Sequence, residues 1–581
     1  MIRTVPRLPF ALLVLFGFLT SLTGQAPPSG QAGNQLPHLV DITDSTGIQF
    51  EHLSSSDKKY IVESMGGGVA LIDYDRDGLP DIYFTNAPTV ETALAGKKAR
   101  GALYHNNGNG TFTDVTDKAG LGYPCFAMGA VVGDYNNDGW PDLLVTCLGG
   151  VVLYRNNGDG TFTDVTKQAG LADTQYATGA AFGDYDNDGW VDLFVSHYVD
   201  FHLNDLPKFG SGKSCEYHSL AVQCGPRGLK GAGDLLFHNN KDGTFTEVSK
   251  TAGVDDPHGF YGLTAVWSDF NDDGRLDLFV ANDTSPNFLY RNDGNGHFTE
   301  MAFLAGTAVS QDGSEQAGMG VALGDYLHDG RFSIFVSHFS EEYAALFRND
   351  GAMNFTDVSF KAGVATPTIP YVGWGTEFFD FDNDGWPDLF LVNGHVYPQV
   401  DTLDVGARYR EPKLLFLNQR DGTFRNISQL VGPAIQIPQA SRGAAFGDLF
   451  NDGRVDIVVE NVDGKPMILR NEDGSHNHWV SFELGGTKSN RLALNARVKA
   501  VAGDLVQVDE VRSGGSYLSQ NDLRIHFGLG SHDRLDRVEI LWPSGKTETL
   551  TNLSADRFYA VKEGEGIVPR ERLRPSPVAR H

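Results

Sequence analysis

Positive charge is scarce in this sequence, and the shortage excludes one class of partner. The 581 residues contain 46 lysines and arginines against 74 aspartates and glutamates, a formal net charge of −28. Proteins that bind nucleic acid present a basic face to the phosphates, so we expect no nucleic-acid partner. The acidity fits either bound cations or a solvated acidic surface, and the motifs described below decide between them.

Long apolar runs are absent after the first 22 residues. The early run, Phe10–Leu22, follows Arg3 and Arg7 and gives way to small and polar residues up to Ala26. This order is typical of an export signal, so we predict a signal peptide over residues 1–26 and a linker over 27–37. A membrane anchor is the alternative, but it needs ~20 apolar residues. We expect a secreted protein, extracellular or periplasmic, without a membrane span.

Strong catalytic motifs are also missing. The sequence has no Gly-x-Ser-x-Gly, no His-Glu-x-x-His and no phosphate-binding glycine loop. His395 and His526 are isolated histidines, which are more often structural than catalytic. We therefore predict a protein that is not an enzyme.

Glycine is abundant, at 69 residues, and so is a nine-residue repeat, here called the Asp loop. Intact copies span 73–81, 134–142, 184–192, 269–277 and 380–388, and degenerate copies span 325–333 and 448–456. Each copy separates two strand-like runs, and most are followed by a hairpin with an Asn-Gly or Asp-Gly turn. Four strands in each of seven units predict an all-β, seven-bladed propeller over residues 38–474. Residues 38–44 match the outer strand that the seventh unit lacks, and we predict that they close the ring.

The Asp loops are predicted to bind calcium. Oxygen ligands at positions 1, 3, 5 and 9, a backbone carbonyl at position 7 and a glycine at position 6 let a turning backbone surround one hard cation. Position 12 is Phe84, Val145 or Val195 in the first three copies, each within a strand, so the helical EF-hand is excluded. Solvated Asx turns are the alternative. Because five intact copies recur, we expect about five structural Ca²⁺ ions.

The predicted calcium ligands of the five intact loops are Asp73, Asp75, Asp77, Leu79, Asp81, Asp134, Asn136, Asp138, Trp140, Asp142, Asp184, Asp186, Asp188, Trp190, Asp192, Asp269, Asn271, Asp273, Arg275, Asp277, Asp380, Asp382, Asp384, Trp386 and Asp388. Weaker candidates in the seventh loop are Asp448, Asp452 and Asp456, because Phe450 replaces the third ligand there. The fifth loop has Leu327 and Ser333 at ligand positions.

The repeat resembles the FG-GAP/VCBS type found in integrin α-subunit propellers and in exported bacterial proteins. Residues 477–484, 514–522, 526–530 and 538–545 also resemble the ASPIC/UnbV domain. Both features together are typical of the cartilage acidic protein family, including its bacterial members. One departure is Asn495, at a turn where we expect glycine. The resemblance implies an extracellular, calcium-binding protein with a role in adhesion or matrix, and it implies no agreed biochemical activity.

Strand-like runs separated by polar clusters predict a small, β-sandwich-like domain over residues 475–565. The arginine- and proline-rich tail over 566–581 is predicted to be disordered. The four cysteines of an exported protein can pair, and we favour Cys125–Cys147 and Cys215–Cys224, although four cysteines allow three pairings. A metal site that combines the cysteines with His197 has no supporting ligand spacing.

Strand order places the Asp loops on one face of the ring, here the loop face. The long insertions, 198–233 and 394–413, lie on the opposite face, here the insertion face. Large loops on a rigid scaffold are where recognition usually occurs. We therefore predict a monomeric binding or adhesion module for an extracellular protein or glycan. One alternative is a secreted carbohydrate-active enzyme, a polysaccharide lyase or hydrolase, that works on the insertion face, where Arg408, Tyr409 and Arg410 lie. Another is a scaffold without a small ligand.

Overall fold

The computed structural model describes residues 36–402, 406–472 and 474–575. The predicted signal peptide and most of the predicted linker lie outside these residues. The described chain forms nine four-stranded sheets and one two-stranded sheet, so the all-β prediction is confirmed. Within the described residues no helix combines the length and apolar character needed to cross a membrane.

Seven of the four-stranded sheets are propeller blades, and in six of them the strands follow one another in chain order. Blade 1 contains Val69–Ile72, Asp81–Phe84, Ala102–Asn106 and Phe112–Asp114. Blade 2 contains Ala127–Gly133, Asp142–Cys147, Gly150–Asn156 and Phe162–Asp164. Blade 3 contains Ala177–Gly183, Asp192–His197, Leu235–Asn239 and Phe245–Glu247. Blade 4 contains Gly262–Ser268, Asp277–Asn282, Phe288–Gly294 and His297–Glu300.

The remaining three blades complete the ring. Blade 5 contains Val321–Gly324, Ser333–Val336, Ala345–Gly351 and Asn354–Asp357. Blade 6 contains Gly373–Phe379, Asp388–Asn393, Leu414–Asn418 and Phe424–Asn426. Blade 7 contains Ser441–Gly447, Asp456–Asn461, Met467–Glu472 and, from the start of the described chain, His38–Asp41.

The short helices are Val62–Met65, Val90–Leu94, Thr116–Ala119, Ser249–Ala252, Ala302–Ala305 and Ala365–Thr368. The 3-10 turns are Thr43–Ser45, Lys213–Cys215, Pro398–Thr402, Ala434–Gln436 and Arg570–Arg572.

The ring closes as the sequence predicted. His38–Asp41 pairs antiparallel with the third strand of blade 7, and His38 lies opposite Glu472. The strand is shorter than predicted, because residues 43–45 already form a 3-10 turn. Joining the two ends of the propeller in one sheet leaves no unpaired outer edge between blades 7 and 1.

The first strands of the blades are buried and approach one another closely. A Cβ on Gly179 would lie 2.1 Å from the Leu263 carbonyl oxygen of the next blade, and one on Gly320 would lie 2.0 Å from the Trp374 carbonyl oxygen. Only glycine allows backbones this close. The glycine-rich composition is therefore partly a requirement of the ring's centre.

The C-terminal domain is a two-sheet β-structure, as predicted. One sheet has the order Ile525–Gly530, His478–Gly485, Arg557–Lys562 and Gly566–Val568. The other has the order Leu505–Glu510, Arg497–Ala502, Arg534–Leu541 and Thr547–Ser554. This domain and the propeller belong to one compact unit.

A loop of this domain, residues 512–522, enters the centre of the propeller, and we call it the channel plug. Gln520 N donates to the Val69 carbonyl at 2.9 Å, and Val321 N donates to the Ser516 carbonyl at 2.7 Å. Tyr517 Oη donates to the Met65 carbonyl at 2.8 Å, and Tyr517 is fully buried against Trp374. First strands leave backbone groups facing a channel, and buried groups of this kind need partners. The plug supplies those partners.

The prediction of a disordered tail from residue 566 is wrong for residues 566–575. Gly566–Val568 extends a sheet of the C-terminal domain, and a 3-10 turn follows. Arg570 then reaches Asp73 Oδ2 and Glu483 Oε2, each at 2.5 Å. Arg570, predicted to lie in a disordered tail, is thus a counterion for a carboxylate of the loop face. Residues 576–581 lie outside the described residues.

A recurring pattern of hydrogen bonds links each blade to the one before it, through an asparagine near the end of the third strand. In blade 3, Asn239 Nδ2 donates to the Tyr135 carbonyl of blade 2 at 2.8 Å and to the Val191 carbonyl at 2.9 Å. The equivalent bond from blade 1 to blade 7 joins Asn106 Nδ2 to the Leu449 carbonyl at 2.8 Å. The other asparagines that bond the preceding blade in this way are Asn156, Asn292, Asn349, Asn418 and Asn471.

We predict that Asn239→Ala lowers the free energy of unfolding by about 2–3 kcal/mol, because buried carbonyls lose their donors. Denaturant unfolding at fixed calcium concentration measures the effect. Asn240→Ala is the matched control, because Asn240 is exposed and bonds Thr244 locally, and we expect a change within about 0.5 kcal/mol. Equal stability of the two variants would contradict the interblade role.

A second prediction concerns Glu460 in blade 7, which is fully buried. Neither of its carboxylate oxygens has a hydrogen-bond partner among the described residues. Burial raises the pKa of Glu460 well above 4.5. The folded protein thus keeps a proton that the unfolded chain releases, and stability falls as pH rises above 4.5.

Glu460→Gln should abolish this part of the pH dependence. Relative to wild type, the variant gains up to about 1.4 kcal/mol per pH unit above pH 4.5, until the folded-state pKa is passed. Urea unfolding between pH 4.5 and 8 measures the difference. The control is Glu91→Gln at an exposed position. A constant difference between Glu460→Gln and wild type across this range would contradict the assignment.

Candidate calcium loops

Each Asp loop is folded by hydrogen bonds to its first acidic residue. In blade 3, Asp184 accepts from the backbone N–H of Asp188 and of Gly189, both at 2.8 Å. The residue at position 4 takes positive φ in all seven copies, which are Arg76, Asn137, Asn187, Asp272, His328, Asn383 and Asn451. The degenerate loops repeat these bonds, with Asp325 and Asp448 as acceptors. The loop shape therefore does not depend on the ligand at position 3.

The last aspartate joins the loop to the blade. Asp192 accepts from Tyr185 N at 3.2 Å and from Asn239 N at 2.8 Å. The equivalent aspartates are buried at 0–1 % exposure: Asp81, Asp142, Asp277, Asp388 and Asp456. In blade 5, Ser333 takes this place and accepts from Asn349 N at 3.3 Å.

The structure brings predicted ligands together within single loops. Carboxylate oxygens lie within 4.8 Å of one another in three groups, which are Asp73, Asp75 and Asp77, then Asp184, Asp186 and Asp192, and then Asp380, Asp382 and Asp388. Loops 2 and 4 carry Asn136 and Asn271 at position 3 and form the same bonds from their first aspartates.

The loop aspartates are largely buried, and basic side chains compensate their negative charge only in part. Burial and neighbouring carboxylates raise the pKa of Asp134 to about 7, and burial raises that of Asp184 to about 8. Burial likewise raises the pKa of Asp277 to about 7. Such shifts mean that the ionised loops need positive charge close by. Converging hard oxygen donors with unmet negative charge fit Ca²⁺, which the chain would hold through the aspartates, the asparagines and the position-7 carbonyls.

Cationic side chains already contact some of these loops. In loop 4, Arg275 Nη2 lies 2.5 Å from Asp273 Oδ2, and in loop 5 Arg331 Nη2 lies 2.6 Å from Asp329 Oδ2. Arg454 pairs with Asp452 in the same way. Loop 4 thus has an internal arginine counterion, as the two degenerate loops do. The sequence analysis did not predict these counterions, although all three copies carry arginine at position 7.

The C-terminal domain covers the loop face and touches all seven loops. Arg491 N donates to Asn137 Oδ1 at 3.1 Å, and Arg497 Nη1 donates to Asp272 Oδ1 at 2.8 Å. The contacts with the other loops are made by Arg570 with Asp73, Lys488 with Gly189, Arg497 with Gly330, His526 with Asn383, and Trp479 with Gly453.

On the insertion face, both favoured disulfides are present, joining Cys125 to Cys147 and Cys215 to Cys224. The insertion of blade 3 reaches across the ring, where the Tyr217 ring lies 5.3 Å from His395 and His218 Nε2 lies 2.6 Å from Glu341 Oε1. Polar side chains at the ends of second strands bond nearby loops. His197 Nε2, for example, lies 3.0 Å from Asp173 Oδ2.

Two of the residues weighed for an enzyme have structural partners. Tyr409 Oη donates to Asp463 Oδ2 at 2.5 Å, and Arg410 Nη1 donates to Gln439 Oε1 at 2.9 Å. A cleft of about 460 Å³ does open on this face beside Cys125. It is lined in part by Lys97, Lys98, Phe126, Phe201 and His202.

Comparison with known proteins identifies both parts of the chain. The FG-GAP-like repeat model matches residues 73–145, 134–195 and 269–336, and the ASPIC and UnbV model matches residues 486–568. Cartilage acidic protein 1 of Mus musculus is 28% identical over 282 residues, covering 46% of this chain and 40% of that protein. The Homo sapiens protein is 27% identical over 299 residues, covering 49% and 41%. This chain thus spans about two fifths of these relatives' length.

Solved structures resemble the chain only distantly. An N-acetylglucosamine-specific Agrocybe aegerita lectin gives a TM-score of 0.36 at 15% identity over 70% of this chain and 94% of the lectin. BBS1N, in complex with ARL6DN, gives a TM-score of 0.40 at 9% identity over 76% of this chain and 98% of BBS1N. Neither likeness bears on function.

The family matches cover parts of the propeller and the C-terminal domain, which supplies the channel plug. The sequence motifs had indicated the same regions. The matched models describe repeat and domain families, not enzyme families. The chain is a propeller-type protein that combines FG-GAP-like repeats with an ASPIC and UnbV domain, which confirms its predicted relationship to the cartilage acidic protein family.

Proposed function

We propose that this chain is an exported, calcium-loaded propeller that binds an extracellular protein or glycan through its insertion face. The observation that carries the proposal is the coverage of the opposite face. The C-terminal domain contacts every Asp loop and fills the channel, through contacts such as Arg497 with Asp272 and Tyr517 with Met65. The insertion face, where two disulfides brace the chain, lies opposite this domain.

Calcium has a structural role in this proposal. Each filled loop would neutralise grouped carboxylates beside the asparagine bonds that join the blades. The disulfides and the relationship to the cartilage acidic proteins support an oxidising, extracellular setting, where free calcium is plentiful.

We predict that calcium raises the melting temperature of the wild-type protein strongly over its value in chelator. A ligand at 100 times its dissociation constant adds about 2.7 kcal/mol per site. Asp134→Ala, in the loop of blade 2, should remove one site's share of this gain, while Asp325→Ala, which removes the same loop hydrogen bonds from a degenerate copy, should leave the gain intact. Equal melting temperatures in calcium and chelator would contradict the proposal.

Binding of a partner at the insertion face can be tested with a glycan array and a panel of extracellular matrix proteins. We expect Lys97→Glu/Lys98→Glu, at two exposed cleft residues, to weaken a positive interaction about tenfold or more. Lys250→Glu, exposed on the outer helix of blade 3, is the charge-matched control. Loss of binding in both variants alike, or in neither, would contradict recognition at this cleft.

A further inference from the structure

Two of the Asp loops face an imidazole nitrogen from the third strand of their blade. In blade 1, His105 Nδ1 lies 3.1 Å from Asp81 Oδ1 and 3.6 Å from Asp75 Oδ2. In blade 3, His238 Nδ1 lies 3.1 Å from Asp192 Oδ1 and 3.7 Å from Asp186 Oδ2. The two imidazoles occupy the same place in the third strand, one residue before the asparagine that bonds the preceding blade.

The other five blades carry no imidazole at this place. The corresponding residues are Arg155, Arg291, Arg348, Leu417 and Arg470. Two of these arginines turn to the neighbouring hairpin, where Arg291 bonds Asp293 and Arg348 bonds Asp350. The histidines instead turn towards the loop's ligands, and each forms a group with two loop aspartates whose donor atoms all lie within 4.8 Å of one another.

Each imidazole is positioned by the tyrosine at position 2 of its own loop. The Tyr74 and His105 rings lie 6.0 Å apart in an edge contact, and Tyr185 and His238 lie 6.0 Å apart in the same way. Tyr74 and Tyr185 are themselves buried, at 5 % exposure each. The donor nitrogens are therefore held near the carboxylates by packing.

The donor chemistry differs from that of an oxygen-only loop. Ca²⁺ takes oxygen ligands at 2.3–2.6 Å, whereas imidazole suits Zn²⁺ and its first-row neighbours at about 2.0–2.1 Å. Two ligands of a tetrahedral ion of this kind lie roughly 3.3 Å apart, between the 3.1 Å and the 3.6–3.7 Å that separate each imidazole nitrogen from its two carboxylate oxygens. This nitrogen is a poor match to calcium and a good one to a borderline cation.

We propose that the loops of blades 1 and 3 are mixed carboxylate–imidazole sites that select a divalent transition-metal cation, such as Mn²⁺, Co²⁺ or Zn²⁺, over Ca²⁺. The ligands are Asp75, Asp81 and His105 in blade 1, and Asp186, Asp188 and His238 in blade 3, with Asp192 beside them. The inference rests on the proposed cation loops and deepens that proposal. The intact loops then form two classes. The loops of blades 2, 4 and 6, whose ligands are all oxygen atoms, would bind calcium.

Co²⁺ is the probe for the experiment, because its visible absorption and its paramagnetic shift of imidazole N–H protons report ligation directly. The intact protein is titrated with Co²⁺ in excess Ca²⁺. We expect two tightly held equivalents, one after His105→Gln, one after His238→Gln, and none after both changes, with at least a tenfold loss of Co²⁺ affinity at each altered site. Arg155→Gln, at the matched position of blade 2, should keep both equivalents.

Two results would overturn the inference. One is unchanged Co²⁺ stoichiometry in the double variant, and the other is displacement of Co²⁺ by Ca²⁺ at similar concentration. Calcium-dependent melting of each variant is followed in parallel and shows that it is folded. Calcium binding without histidine-dependent Co²⁺ binding overturns only this inference, whereas the absence of any divalent binding overturns the proposed calcium loops as well.

Discussion

The propeller depends on the hydrogen bonds around the last aspartate of each Asp loop. Asp192, almost fully buried, accepts from a residue of its own loop and from Asn239 in the third strand. The amide of Asn239 in turn donates to the preceding blade. A buried carboxylate needs this many donors, so loop, strand and neighbouring blade are fixed together. Repetition of the arrangement around the ring couples blade packing to the carboxylates proposed to hold cations.

The two faces have different roles as a result. The loop face carries concentrated negative charge, and the C-terminal domain supplies Arg497 and Arg570 as counterions, while its plug satisfies the first strands in the channel. The insertion face is stabilised by disulfides and aromatic packing around Tyr217. In the proposed function, the cation sites lie beneath the C-terminal domain and the long insertions of the opposite face are left for a partner.

The periodic features could be predicted from sequence because each is local. The blades, the closing strand and both disulfides followed from repeat spacing and turn residues, and Asn495 takes the positive φ of 68° that its expected glycine would take. The plug and the ordered tail were missed because they depend on contacts between distant segments. The bond between Asp73 and Arg570, for example, spans 497 positions. The donors His105 and His238 were missed because the motif was read only within the nine loop residues.

The number of metal ions bound per chain tests whether the Asp loops bind divalent cations. Intact protein is purified in calcium, freed of unbound ions by gel filtration, and measured for calcium and transition metals per chain by elemental analysis. We expect about five bound divalent ions, with transition metal found only up to the two loops that His105 and His238 face. Fewer than one bound ion per chain would contradict it and would reduce the Asp loops to hydrogen-bonded turns.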